Sequence, residues 1–226
     1  MTNHSPFRYF KTSPEIIRLA VMLYIRFPLS LRNVEDLLHE RGIEISHETV
    51  RYWWNRFGPM FAAELRRKRV DRMRGCKQWR WQLDEVFVKI NGVTHYLWRA
   101  VDHEGELLES VVTKTRDRKA ALKLLKKSMK QHGRPDSIVT ARLRCHGAAL
   151  KDLGRGDDHE MGRWMNNRAA NSHLPFRRRE RAMLRFRRMR TLQKFASVHA
   201  SGHNHFPTER NLLNCRAYMQ SRAAAL

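Results

Sequence analysis

Cysteine is scarce in this 226-residue chain, with Cys76, Cys145 and Cys215 far apart and odd in number. That excludes a disulfide framework and paired C-x-x-C zinc knuckles, so the three read as free thiols. Long apolar runs are missing too. No stretch approaches the roughly eighteen apolar residues of a membrane span, and the start Met1-Thr2-Asn3-His4-Ser5-Pro6 lacks a signal-peptide core, so the expectation is a cytoplasmic protein with no membrane partner. The deepest deficit is acid: 22 Asp and Glu stand against 45 Lys and Arg, a formal charge of +23. Such an excess goes beyond solubility and draws a chain to a polyanion through counterion release. With 42% hydrophobic residues the chain can bury a real core and is no disordered tail. His199, His203 and His205 form an H-x3-H-x-H cluster, but no Cys, Asp or Glu nearby completes a tetrahedral set, so an exposed basic turn is expected there.

The amino-terminal third carries three helix starts. Ser13-Pro14-Glu15 supplies a capping hydroxyl, proline at the first helical position and an acid at the positive dipole end. Ser30 and Ser46 open the second and third, with Gly42 ending the second. In the third, Val50, Trp54, Phe57, Phe61 and Leu65 form an apolar stripe, and arginines crowd the remainder. A short connection between two helices, the later one basic, fits helix-turn-helix geometry, with Ser46, His47, Thr49 and Arg51 as readers of DNA bases. A plain three-helix bundle with a solvated basic face fits the same pattern. The expected division is a helix-turn-helix domain over residues 1–65, a basic linker over 66–78, a core over 79–200 and a divergent tail over 201–226.

In the core the periodicity changes. Trp79 to Ile90 is aromatic and β-branched, Asn91-Gly92 is a hairpin signal, Val93 to Val101 resumes the strand, and Leu107 to Thr113 follows the Glu104-Gly105 turn. Asp117 to His132 reads as a helix, and Ser137-Ile138-Val139-Thr140 as a short strand ending at Ala141. Three strands, a helix, a strand and a helix make the order of an α/β, RNase H-like mixed sheet. Asp84 lies in the first strand, and side-chain alternation sends Asp84 and Glu85 to opposite faces. A carboxylate there is costly to bury unless paired or bound to a cation, so an ion pair with arginine and a catalytic role stand level.

Several runs resemble bacterial insertion-sequence transposases of the insertion-sequence-six family: Leu29-Ser30-Leu31-Arg32-Asn33-Val34-Glu35-Asp36-Leu37-Leu38, Trp81-Gln82-Leu83-Asp84-Glu85, His95-Tyr96-Leu97-Trp98-Arg99-Ala100-Val101-Asp102 and Asn166-Asn167-Arg168. The resemblance spans about residues 7–200. It implies an RNase H-like enzyme whose Asp-Asp-Glu triad holds two Mg²⁺ (or Mn²⁺) ions for DNA cleavage and strand transfer, acting on insertion-sequence ends and target DNA as a homo-oligomer, at least a dimer, at the nucleoid. Carried over residue by residue, Asp84 matches the first aspartate and metal ligand. The position after Thr140, where the second belongs, is Ala141, and the glutamate position after Asn166-Asn167 is Ala170. The resemblance therefore implies a transposase relative whose catalysis is impaired, or a non-enzymatic DNA-binding regulator that inhibits transposition by active relatives. A third possibility places replacement ligands among Asp152, Asp157, Asp158 and Glu160 in a glycine-rich loop. Arg177 falls where the family carries a basic DNA contact. It opens the run 177–190, which holds eight arginines and one acid. Met183, Phe186 and Met189 are spaced to anchor this run as a helix, from which Arg177, Arg178, Arg179 and Arg181 would grip phosphate.

Overall fold

The computed structural model describes residues 5–73, 80–141, 143–162, 164–183 and 186–205, with the side chains of residues 69–73, 164 and 205 outside that description. Helix α1 (Pro14–Arg26) starts where Ser13 accepts from the Ile16 N–H, and α2 (Leu31–His39) starts at a capping box of Ser30 and Asn33. The chain then turns through Gly42, whose φ of +69° suits glycine, into α3 (His47–Met73). Helix α3 runs eight residues past the boundary expected at 65, so residues 66–73 are helix where a linker was expected; residues 74–78 fall outside the described part.

Strands β1 (Arg80–Ile90), β2 (Val93–Asp102) and β3 (Leu107–Thr113) form the expected meander. The first turn has Asn91 and Gly92 at φ of 50° and 82°, the two positive values a two-residue hairpin of matching twist demands. Helix α4 (Arg118–His132) is capped by Asp117 and leads to β4 (Ser137–Thr140), then α5 (Arg144–Asp152). A strand absent from the sequence reading follows: β5 (His159–Met161) pairs parallel with β4 where a glycine-rich loop was expected. The sheet order is β3-β2-β1-β4-β5, antiparallel across the first three strands and parallel from β1 through β5. This is an RNase H-like sheet.

Its two faces are covered differently. Trp81, Leu83, Trp98 and Ala100 pack with Leu124 and Leu125 of α4 and Leu150 of α5. On the other face lie α6 (Asn167–Ala182), entered through a single 3₁₀ turn, and α7 (Met189–His205). Val88, Ile90, Leu97 and Val112 there share one cluster with Phe176, Phe195 and the apolar residues of α1, α2 and α3. Tyr24, Trp54 and Phe195 meet at ring-centroid distances of 5.4, 5.7 and 6.4 Å, joining α1, α3 and α7. The helical third and the sheet are thus packed through a common core.

Pro59 in the middle of α3 removes the N–H that Asn55 would otherwise receive. Lys194 of α7 takes its place, its Nζ donating to the Asn55 carbonyl at 2.9 Å and to the Asn55 Oδ1 at 3.0 Å.

Two further expectations are corrected. The arginine run is not one helix, because α6 ends at Ala182 and α7 begins at Met189. The histidine cluster is no turn either: it lies on α7, where His199 is buried beside Phe176 and Phe195 and its ring stacks at 6.1 Å on that of His203, which is exposed as expected. Of the cysteines only Cys145 is among the described residues, as a free thiol.

Candidate active site

Asp84 sits on the α6–α7 face of β1, at the point where pairing with β4 gives out. The last pair of that parallel ladder is Leu83 with Thr140. Ala141 is the next residue and comes level with Asp84. Thr140 itself is buried, its hydroxyl 2.7 Å from Nε2 of His159, which fixes the end of β4 against β5.

Helix α6 runs along β1. Buried Asn166, just before it, donates from Nδ2 to the Leu83 carbonyl at 2.9 Å, and two turns later His173 places Nε2 at 3.4 Å from Oδ2 of Asp84. Arg177, a turn beyond, donates to the Phe87 carbonyl and stacks on that ring at 5.4 Å. Ala170 lies between these anchors, one turn before His173 and on the same side of the helix, with its methyl exposed. Ala141 thus follows the last β1–β4 pair, and Asn166 and His173 tie to β1 the stretch of α6 that carries Ala170; neither alanine offers a metal ligand.

His173 was not anticipated. It is buried, and burial lowers its pKa below the ordinary histidine value while the neighbouring Asp84 opposes that shift. A neutral imidazole thus accompanies the carboxylate, in place of the arginine ion pair considered from sequence. The arginine directly opposite in register is Arg99 of β2, buried and donating to the Ser172 carbonyl, with its guanidinium 5.0 Å above the Phe176 ring. Burial brings Arg99 down to about 9, with Arg177 adding repulsion. Arg99 braces α6 against the sheet behind the acid. The register of Arg99 was readable: counting outward from the Asn91-Gly92 turn sets it opposite Asp84.

Glu85 points to the other face, as alternation required. It pairs with Arg116 and lies 4.0 Å from Nε2 of buried His146; burial raises its pKa, with Arg116 opposing. Three of the four acids of 152–160 are engaged elsewhere, Asp152 with Arg118 at 3.2 Å, Asp158 with Arg155 at 2.6 Å and Glu160 with Arg80 at 2.5 Å, and the fourth, Asp157, is exposed. Among the described residues no three His, Cys, Asp or Glu side chains converge to hold a metal ion. The residues present do not fit a two-ion centre, and the relocated-ligand possibility fails.

The expected DNA contacts divide. Exposed Ser46 shares a 3.1 Å hydrogen bond with Thr49; Nδ1 of His47 is 2.8 Å from Glu35; Arg51 is gripped by both oxygens of Glu48 at 2.7 and 2.8 Å. Arg178 and Arg181 are exposed, whereas Arg177 is half-buried and paired with Glu180 at 2.5 Å. Arg179 is not available to DNA at the surface: it is 1% exposed, donates to the Leu29 carbonyl at 2.7 Å and lies over the Tyr24 ring at 4.8 Å.

A family model described as a DDE domain matches residues 78–209. The transposase for insertion sequence-like element IS431mec of Staphylococcus aureus is 30% identical over 172 residues, covering 74% of this chain and 75% of that protein. The transposase for insertion sequence element IS257 in transposon Tn4003, also of Staphylococcus aureus, is 29% identical over the same shares. Among solved structures, the HTLV-2 integrase catalytic core domain in complex with magnesium aligns at 11% identity and a TM-score of 0.41, over 62% of this chain and 91% of that one, a likeness too loose to bear on function.

Proposed function

The chain belongs to the DDE-domain transposases of the insertion-sequence-six family, and from that premise we propose that it binds insertion-sequence ends without carrying out strand transfer. What supports this reading is the surroundings of Asp84, where no second or third ligand is found among the described residues, together with the family resemblance, which assigns the two remaining triad positions to Ala141 and Ala170. At about 4 Å and an effective dielectric near 20, a unit charge pair contributes roughly 4 kcal/mol, so each missing carboxylate removes about three powers of ten in cation occupancy. Mg²⁺ or Mn²⁺ is the family's cofactor. Asp84 with a neutral imidazole is a poor holder of two such ions.

DNA affinity follows a different logic, because deleting negative charge from a cleft that faces phosphate does not weaken phosphate binding. Exposed Ser46 and Arg51, with half-buried His47 and Thr49, form the start of α3. In this reading they enter the major groove, and Glu48 yields Arg51 to the DNA. Arg178 and Arg181, with exposed Arg187, Arg188 and Arg190, supply phosphate contacts, joined by Arg177 once Glu180 releases it. About six such contacts give a log–log salt slope near −5. The protein works at the nucleoid, as a dimer or larger assembly on paired ends.

A second reading is supported by the shared core, which joins the helical third to the sheet although two of the three triad carboxylates are missing. A chain that keeps its packing and loses its chemistry can enter assemblies with active relatives and inhibit them. The test joins footprinting on end-containing duplexes to strand-transfer assays in Mg²⁺ and Mn²⁺. End-specific protection without joined products is the expected result; robust joining, or protection equal on scrambled duplex, overturns the proposal.

A further inference from the structure

The basic charge of this chain is divided by residue type as well as by place. Helix α4 carries Lys119, Lys123, Lys126, Lys127 and Lys130 beside Arg118, whereas the run 177–190 holds eight arginines and no lysine. Lys119, Lys123, Lys126 and Lys130 are exposed and follow one another at steps of four, three and four residues, which at about 3.6 residues per turn sets them within about 60° of arc. They form one stripe. Ala120, Ala121, Leu124, Leu125 and Ser128 are buried on the opposite arc, where Leu124 and Leu125 pack with Trp81 and Trp98 of the sheet, so the stripe is presented at fixed spacing. From it we infer that α4 is a docking surface for a second DNA duplex, gripping the phosphate backbone without reading bases.

Helix stability gives no account of the arrangement. Like charges three and four residues apart repel, and Lys119 stands in the first turn, at the positive end of the helix dipole. No acid relieves them. Among the described residues none of the four lysines forms an ion pair, and the acids that contact the helix are engaged: Asp117 caps the Ala120 N–H at 2.8 Å, Glu109 takes Lys127 at 3.2 Å and Asp152 takes Arg118 at 3.2 Å. A polyanion supplies the missing charge. From Lys119 to Lys130 the helix rises about 16 Å, a length over which duplex DNA presents about ten phosphate charges. Lysine is a compact charge on a flexible stem and lacks the planar fork of arginine, so these contacts hold DNA in place and carry no sequence information. The stripe lies across the sheet from Asp84, and the duplex it takes is therefore distinct from one held beside the triad. Recognition of insertion-sequence ends is not required.

The test uses the full chain and a variant with Lys119→Gln, Lys123→Gln, Lys126→Gln and Lys130→Gln, all at exposed helical positions where glutamine is tolerated. Affinity for an unrelated duplex without insertion-sequence ends is followed by fluorescence anisotropy against salt. Loss of four phosphate contacts makes the log–log slope shallower by about 3–4, while footprint protection on end-containing duplex stays intact. With the ends saturated, a labelled unrelated duplex joins the complex of the native chain and not that of the variant. An unchanged slope, or end protection lost in parallel, overturns the inference. So does loss confined to binding of phosphatidylserine vesicles, which assigns the stripe to a membrane surface. If neither chain protects ends, the function proposed above fails and the slope on unrelated duplex still decides the role of α4.

Discussion

Acid sensitivity of the sheet is built into His146. This residue is fully buried on α5, edge-on to Trp98 at 5.4 Å, with neither ring nitrogen hydrogen-bonded. Burial takes its pKa from 6.5 to about 4, only partly opposed by the charge of Asp84. In the unfolded chain the imidazole takes a proton as pH falls through 6.5, and in the folded chain it refuses one until about 4. The depressed folded value therefore leaves stability complete above 6.5 and removes it as pH falls toward 4. The loss from this one group reaches about 2 kcal/mol at about pH 5 and about 3 kcal/mol near pH 4. Glu85 works in the opposite sense, since burial raises its pKa and the fold gains a proton there on acidification. Urea unfolding at about pH 7 and about pH 5 measures the balance. Replacing His146 by leucine, which suits the apolar site, should shrink the stability difference between the two pH values by roughly 2 kcal/mol. An undiminished difference in the variant would refute the assignment, whatever its absolute stability.

Three packing predictions follow from single contacts. Gly58→Ala places a Cβ 2.6 Å from Cε3 of buried Trp54, and the overpacking should cost about 1–3 kcal/mol in urea unfolding. Lys194→Met strands the Asn55 carbonyl that Pro59 leaves open; a cost of about 1 kcal/mol is expected, with partial recovery when Pro59→Ala restores an N–H to that carbonyl. Asn166→Ala breaks the bond holding the start of α6 to Leu83, so about 1–3 kcal/mol should be lost by chemical denaturation.

Much of this molecule was legible because local signals agreed with the fold. Ser13 and Ser30 cap helices where their side chains predicted, Asp117 caps the helix it was expected to open, and Asn91-Gly92 turned the hairpin that places Asp84 opposite Arg99. What escaped was set by tertiary contact. Strand β5 is three residues long and carries no apolar run, so only its ladder with β4 reveals it. Arg179 looked like its neighbours in a basic run, yet its position on α6 faces Tyr24 and Phe195 and buries it. His199 was read as exposed because it sits among polar residues, whereas the helical period of α7 turns it inward. His173 follows Ala170 by a single turn, and the helix that unites the two could have been inferred from Asn166 onward.

The account turns on the triad positions Asp84, Ala141 and Ala170, and strand transfer on end-containing DNA in Mg²⁺ or Mn²⁺ examines it most directly. The chain as it stands should yield no joined product, and the double variant Ala141→Asp with Ala170→Glu should yield it, with Asp84→Asn abolishing the gain. Joining by the unaltered chain, or a correctly folded double variant that binds ends and stays inert, would contradict the claim that two absent carboxylates are what silences this site.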